Sequence, residues 1–430
     1  MNLVLLMLQI TVVLIVCRLT GDVFLRIKQP RVNGEMFAGI LLGPSLLGWI
    51  WPQAAQYLFP ENTFQLLNAA GQLGVVFFMF LAGLAIDPSC LSGKKGPTLA
   101  ASLASILAPV GLAFALAVYL HPRYAPQGAN FTNFALLLGA AMTITAFPML
   151  AKLLLERDIL GTQLGTVAVA CSCIAGVVTW CMLAYIVVVV KAQSTLTLYL
   201  TFAGIVALFV LMFTAVKPRL AQFERLYEHN GALGEKAMAI MVILIAVVAT
   251  AAGYLGLHPL FGAFLVGAAM PKSSRFVAYV VGRFEVITLS LLLPLYLAFS
   301  GLRTNLLAIR GTEMWLVCGL ITLVGVLGKV VASALAAWIA GMPYREAAGL
   351  GSLLNMRGLI CLIVLNIGLD LKLFNTAIFS MMVVMALVNT LLPMPMFDWF
   401  CPRETPTAIS AAKRGEVAVG LDLEGAAADG

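Results

Sequence analysis

Apolar runs of about twenty residues recur along the whole chain, separated by short polar loops. As a helix, a run of that length crosses the hydrocarbon layer of a bilayer, whereas membrane strands would show about ten alternating residues. The pattern therefore predicts an all-α polytopic membrane protein. Composition agrees: of 430 residues 62% are hydrophobic and 10% charged, with a mean hydropathy of +1.01, outside the range of soluble domains. The first run, Leu3 to Cys17, has no basic start and no small-residue cleavage site, so it is expected to stay as a span.

Spans are expected at roughly 3–20, 34–51, 63–86, 98–120, 133–155, 162–191, 197–216, 237–257, 259–272, 283–302, 313–341, 347–370 and 375–400, about thirteen in all. With that layout most Lys and Arg fall in the loops of one side, while the other keeps only Arg123, Lys191, Arg303, Arg310 and Lys372. The positive-inside rule then predicts a cell-membrane protein with its N-terminus outside and its C-terminus cytoplasmic. The formal charge of +7 is used up by this topology and does not point to nucleic acid. The partners expected are the lipid bilayer and a small ion or small-molecule solute. Residues 1–403 form the transmembrane domain. Residues 404–430 are rich in Ala, Gly and acidic side chains and predict a disordered cytoplasmic tail.

The 8 cysteines lie mostly in apolar segments without C-x-x-C spacing, so small core residues are expected rather than metal ligands. No cofactor motif, phosphate loop or nucleophilic triad is legible. An enzymatic reading would have to rest on the thiols, Lys329 or His258. His258 before Pro259 reads most simply as the start of a helix.

Two basic residues, Lys329 and Arg357, fall near the centres of their spans. An ionisable group at bilayer depth costs at least a few kcal/mol unless paired or hydrated, which makes both functional candidates. The alternative is that each bonds helix-end carbonyls and only holds the bundle together. The stretch "GAAMTITAFPMLAK" puts Thr143, Thr145 and Pro148 in mid-span, and proline both removes a helix hydrogen bond and opposes a carbonyl sterically. A broken helix is expected there, and such breaks mark binding sites in secondary transporters. Gly262 and Gly267 in a short span predict close helix contact.

With these motifs placed, the chain resembles the monovalent cation:proton antiporter superfamily, in its bacterial sodium or potassium/proton exchanger-like branch. The matching stretches are "QPRVNGEMFAGILLGPSLLG", "VVFFMFLAGLAIDP", "ITAFPMLAKLLLERDILGT", "GLHPLFGAFLVGAAMP", "LPLYLAFSGLRTNL" and "NMRGLICLIVLNIGLDL". The resemblance implies about thirteen helices in inverted repeats and two broken helices crossing near the midplane. It also implies a core domain that moves against a dimerisation domain, and a homodimer. The function implied is sodium or potassium/proton antiport by alternating access.

The sequence departs from the family where its chemistry resides. The acidic pair of the sixth span is replaced by Ala175 and Gly176, the glutamate of "GLEIDP" by Ala85, and that of "RGLxEL" by Cys361. The chain's acidic residues, Glu35 among them, fall in loops, at span ends or in the tail. A carboxylate can hold either a proton or a cation, which Ala175 and Gly176 cannot. Lys329 and Cys361 are the titratable groups left, and Cys361 shares a helical face with Arg357. Carbonyls of a broken helix offer another way to coordinate a cation, though they do not titrate. Ser172 and Gly176, four apart, predict close packing across the former ion site. Two other functions stay open: a carrier for an anionic or small organic metabolite using Lys329 and Arg357, and a repurposed scaffold acting as an enzyme or regulator.

Overall fold

The computed structural model describes residues 3–27, 29–85, 95–147, 150, 153–154, 159, 162–191, 195–255 and 257–401. Pro148 and the expected tail at 404–430 lie outside them. The described residues are helical and contain no strand. Among them, 9 helices are long and apolar enough to cross a membrane, and a bent pair raises the number to 10. The count of thirteen is not confirmed. The expected span 34–51 is a 12-residue helix and a separate 4-residue turn, and the expected span 259–272 is a helix of 11 residues.

The helices pack as two bodies. One contains α1 (Leu3–Arg26), α2 (Arg31–Leu42), short α3 (Leu47–Ile50) and α4 (Pro52–Leu58), and α5 (Glu61–Ala85). The other, called here the core body, begins with α6 (Lys95–Tyr124), α7 (Phe131–Thr143) and α8 (Gln163–Lys191). Helices α9 (Thr195–Leu211) and α10 (Lys217–Asn230), joined by a π-helical turn at Met212–Val216, return the chain to the first body. There α11 (Glu235–Tyr254), α12 (Pro259–Ala269), α13 (Ser274–Ile287) and α14 (Leu293–Leu302) complete it. The core body is completed by α15 (Gly311–Ile339), α16 (Tyr344–Leu354), α17 (Gly358–Asp370), α18 (Thr376–Leu391) and α19 (Pro393–Phe400). The largest buried apolar cluster runs across both bodies, with Met36, Val75 and Met79 on one side and Leu359 and Ile363 on the other.

In lipid, helices gain nothing from hiding apolar surface from one another, so close approach through small residues does much of the joining. Gly262 faces the backbone of Val248 and Ala249 on α11, and Gly267 faces that of Phe80 and Leu84 on α5. The spacing that predicted contact is thus used on two different neighbours. His258 stands at the start of α12 with Pro259 in its first turn, as the sequence suggests, and its side chain makes no capping bond.

Gly267→Ala would drive a methyl group into backbone that cannot yield, and is expected to lower the thermal midpoint in detergent, at about 1–3 kcal/mol. Gly319→Ala meets no atom within 4 Å and is expected to stabilise its helix by roughly 0.5–1 kcal/mol. Unfolding both variants beside the parent checks the opposite signs.

Candidate functional site

Helix α7 starts firmly, with Asn130 Oδ1 accepting from the amides of Thr132 at 2.9 Å and Asn133 at 3.2 Å. It stops at Thr143, because Ile144 is extended at φ −62, ψ 140. The break therefore begins before Pro148 itself. A proline there has no N–H for the Ile144 carbonyl, four residues back, so the helix has least reason to continue through Ile144. A second break separates α16 from α17 at Asn355, Met356 and Arg357, with a 45° bend. Gly358 takes φ +59 there, which a side chain would oppose. The resemblance implied this second break, but its residue signal, a polar Asn, an Arg and a Gly together in an apolar span, had not been read as one.

The breaks are stitched together. Thr145 Oγ1 donates to the Leu354 carbonyl at 2.8 Å, and the Ala146 amide donates to the Met356 carbonyl at 2.7 Å. Buried backbone groups that no helix satisfies thus satisfy each other.

The two mid-span cations converge on the carbonyl end of α7. Lys329, on α15 and fully buried, donates from Nζ to the Thr143 carbonyl and to the Ser105 carbonyl at 3.3 Å. Arg357, equally buried, donates from Nη1 to the Ala141 carbonyl at 2.7 Å and from Nη2 to the Gly325 carbonyl at 2.9 Å. Cys361 Sγ also points at the Ala141 carbonyl, 3.5 Å away. Positive charge at a helix C-terminus is favourable, the more so where water does not screen it. Thr143, Thr145, Lys329, Arg357 and Cys361 are thus brought together around the two breaks.

The carbonyls of Ala141, Thr143, Leu354 and Met356 each accept a bond from one of the chain's own donors. One expectation is corrected: Gly176 does not close the site by packing, because a Cβ built there meets no described atom within 4 Å. Its neighbour Ala175 is fully buried in α8, and Ala85 ends α5 in the other body. Glu35, expected at a span end, sits in the second turn of α2 and is the one buried carboxylate among the described residues. No cluster among the described residues has the His, Cys, Asp and Glu content of a metal site.

Two features went unread in the sequence. Thr98, Ser102 and Ser105 form a hydroxyl stripe on α6, legible from their spacing of four and three. The second is a polar link between the bodies. Arg303, just past α14, donates to Asp370 Oδ1 at 2.6 Å and Asn366 Oδ1 at 3.1 Å, and Asn366 Nδ2 donates to Ser300 Oγ at 2.8 Å. Because these partners are about sixty residues apart in the chain, no local pattern announces them.

Lys329→Leu would strip donors from the Thr143 and Ser105 carbonyls, and is expected to destabilise by about 1–3 kcal/mol. Gly176→Ala adds a methyl group that meets no described atom within 4 Å and is expected to stabilise α8 by roughly 0.5–1 kcal/mol. Parallel melts in detergent read both; a Gly176→Ala midpoint as low as that of Lys329→Leu would contradict the open side of α8.

Residues 11–399 match the family model of the transmembrane sodium/hydrogen exchanger. A protein of Synechocystis named Na(+)/H(+) antiporter NhaS4 is 34% identical over 396 residues, spanning 92% of this chain and 97% of that one. Cation/H(+) antiporter 18 of Arabidopsis thaliana is 34% identical over 397 residues, and K(+)/H(+) antiporter 1 of Saccharomyces cerevisiae 28% over 435. The chain spans about half the length of these two, 48% and 49%, and 90% and 97% of it is covered. In fold it is similar to the sodium proton antiporter MjNhaP1 of Methanocaldococcus jannaschii, with TM-score 0.60 at 13% identity, over 92% of this chain and 96% of that one. With its two crossed breaks and a family match over nearly its whole length, the chain belongs to the sodium/hydrogen exchanger family.

Proposed function

We propose that this protein is a secondary transporter that exchanges sodium or potassium for protons by alternating access, with Lys329 as the group that carries the proton. The family and the names of the relatives support the exchange. The observation that carries the role of Lys329 is its ammonium on the carbonyls of Thr143 and Ser105. An ammonium and an alkali cation are both monovalent and both bind carbonyl oxygens. Protonated, Lys329 holds the site; once its proton leaves to water, the neutral amine has no charge to keep a cation away. Sodium or potassium can then take the carbonyls, and reprotonation expels it. Competition between one proton and one cation is the coupling that carboxylates provide elsewhere in the family.

Alternating access also needs two bodies that move. The link from Arg303 to Asp370 and Asn366 ties α14 to α17 at one face of the molecule, and it is exposed enough for water to compete for it. It fits a closed face that opens in the other state. The excess of basic loops supports an orientation in the cell membrane with the N-terminus outside. A homodimer is part of the same reading, from the family's organisation.

The test is cation-driven proton flux in sealed proteoliposomes with an internal pH dye. The parent protein is expected to move protons when sodium or potassium is added. Lys329→Arg keeps the donors and the charge but does not release a proton, so it is expected to fold and to lose at least ten-fold of the flux. Equal flux in parent and Lys329→Arg sinks the role of Lys329, and no flux in the parent at any pH sinks the exchange itself.

A further inference from the structure

Around Lys329 the core body holds more hydrogen-bond donors than acceptors. Its ammonium has three N–H groups and places two of them, on Ser105 and Thr143. The hydroxyl oxygens of Thr143 and Ser333 are buried and have no partner among the described residues, and the same holds for Thr98 further along α6, whereas the Ser102 hydroxyl bonds the Cys171 thiol. Helical serines and threonines normally return their proton to a carbonyl one turn back, as Ser105, Ser172 and Ser352 do here at 2.8–2.9 Å. The unpartnered ones do not. Two of them lie next to Lys329 in the fold: Ser333 one turn beyond it on α15, and Thr143, whose carbonyl it touches, at the end of α7.

An unsatisfied buried hydroxyl costs about 1–3 kcal/mol, so several in one place call for an occupant. Water would satisfy the hydroxyls but not the charge. Lys329 and Arg357 are both fully buried, and among the described residues the core body buries no carboxylate to balance them. One species answers both needs. We propose that a small anion, a halide or the carboxylate of a small organic acid, binds beside Lys329 between α6, α7 and α15. It accepts from the third ammonium N–H and from the hydroxyls of Thr143 and Ser333. It supplies from solution the negative charge that Ala175 and Gly176 no longer supply from the chain. This goes beyond the exchange reading, which does not require an anion.

The experiment reads binding in detergent, without any gradient, so its result is separate from that of the flux assay. The purified protein is melted in sodium chloride, sodium acetate or sodium gluconate at constant ionic strength, gluconate being too large for a site between packed helices. The midpoint is expected to rise along a saturating curve with chloride or acetate and to stay flat with gluconate. Thr143→Val and Ser333→Ala remove one hydroxyl each with little change in volume, and each is expected to raise the half-saturating concentration about ten-fold. Equal midpoints in all three salts would mean that water alone fills the site and would overturn the proposal. So would a half-saturating concentration that neither variant changes.

Discussion

The carbonyl end of α7 stops in the middle of the membrane, and much of the core body is arranged to satisfy it. A helix leaves its last carbonyls without intrahelical donors, and hydrocarbon offers none. Here the donors come from three directions: Lys329 from α15, Arg357 from the break before α17, and the Cys361 thiol from α17 itself. To reach Ala141 and Gly325 together, Arg357 must lie between α7 and α15, which fixes the path of the second broken span. The Thr145 and Ala146 bonds to Leu354 and Met356 then lock the crossing from the other side. The break in one helix and the cations on two others form one interaction, and removing any part leaves buried polar groups exposed to lipid-like surroundings.

The chain's apolar runs made the helical class legible, and a single proline made the first break legible. What local pattern could not give was the position of the break. Pro148 acts on the carbonyl four residues before it, so the helix yields at Ile144, upstream of the residue that announces the break. The second break has no proline; it rests on Gly358 at positive φ and on bonds to a strand of chain some two hundred residues away. Lys329 and Arg357 stood out because charge at bilayer depth is rare, and both bond carbonyls at the end of α7. Gly176 was misread for a physical reason: small residues four apart favour contact only if a neighbour lies on that face, and periodicity does not say whether one does.

The seam between the two bodies combines two materials. Its interior is apolar, with Met36 and Met79 in one buried cluster with Leu359 and Ile363, and apolar contacts slide at little expense because they have no preferred direction. At one face it ends in Arg303, Asp370, Asn366 and Ser300, whose bonds are directional and hold one register. A smooth interior bounded by a directional lock is an arrangement with discrete positions rather than a continuum. That is what two alternating states require of the α14–α17 contact.

The charge balance of the core links its geometry to its chemistry. The end of α7 presents carbonyls and the start of α17 presents amides at the crossing, so dipole ends of opposite sign meet there. The two full charges of Lys329 and Arg357 remain, and Ala175, Gly176 and Cys361 give nothing to oppose them. Arg357 cannot lose its proton, so its place on two carbonyls is permanent. The remaining excess can be relieved at Lys329 in two ways: a proton departs, or an anion arrives among the unpartnered hydroxyls. The first is the proton-carrying step of the proposed exchange, and the second is the proposed anion site. Both follow from the same substitution of acidic residues by small ones, and both act at the one ammonium that caps α7.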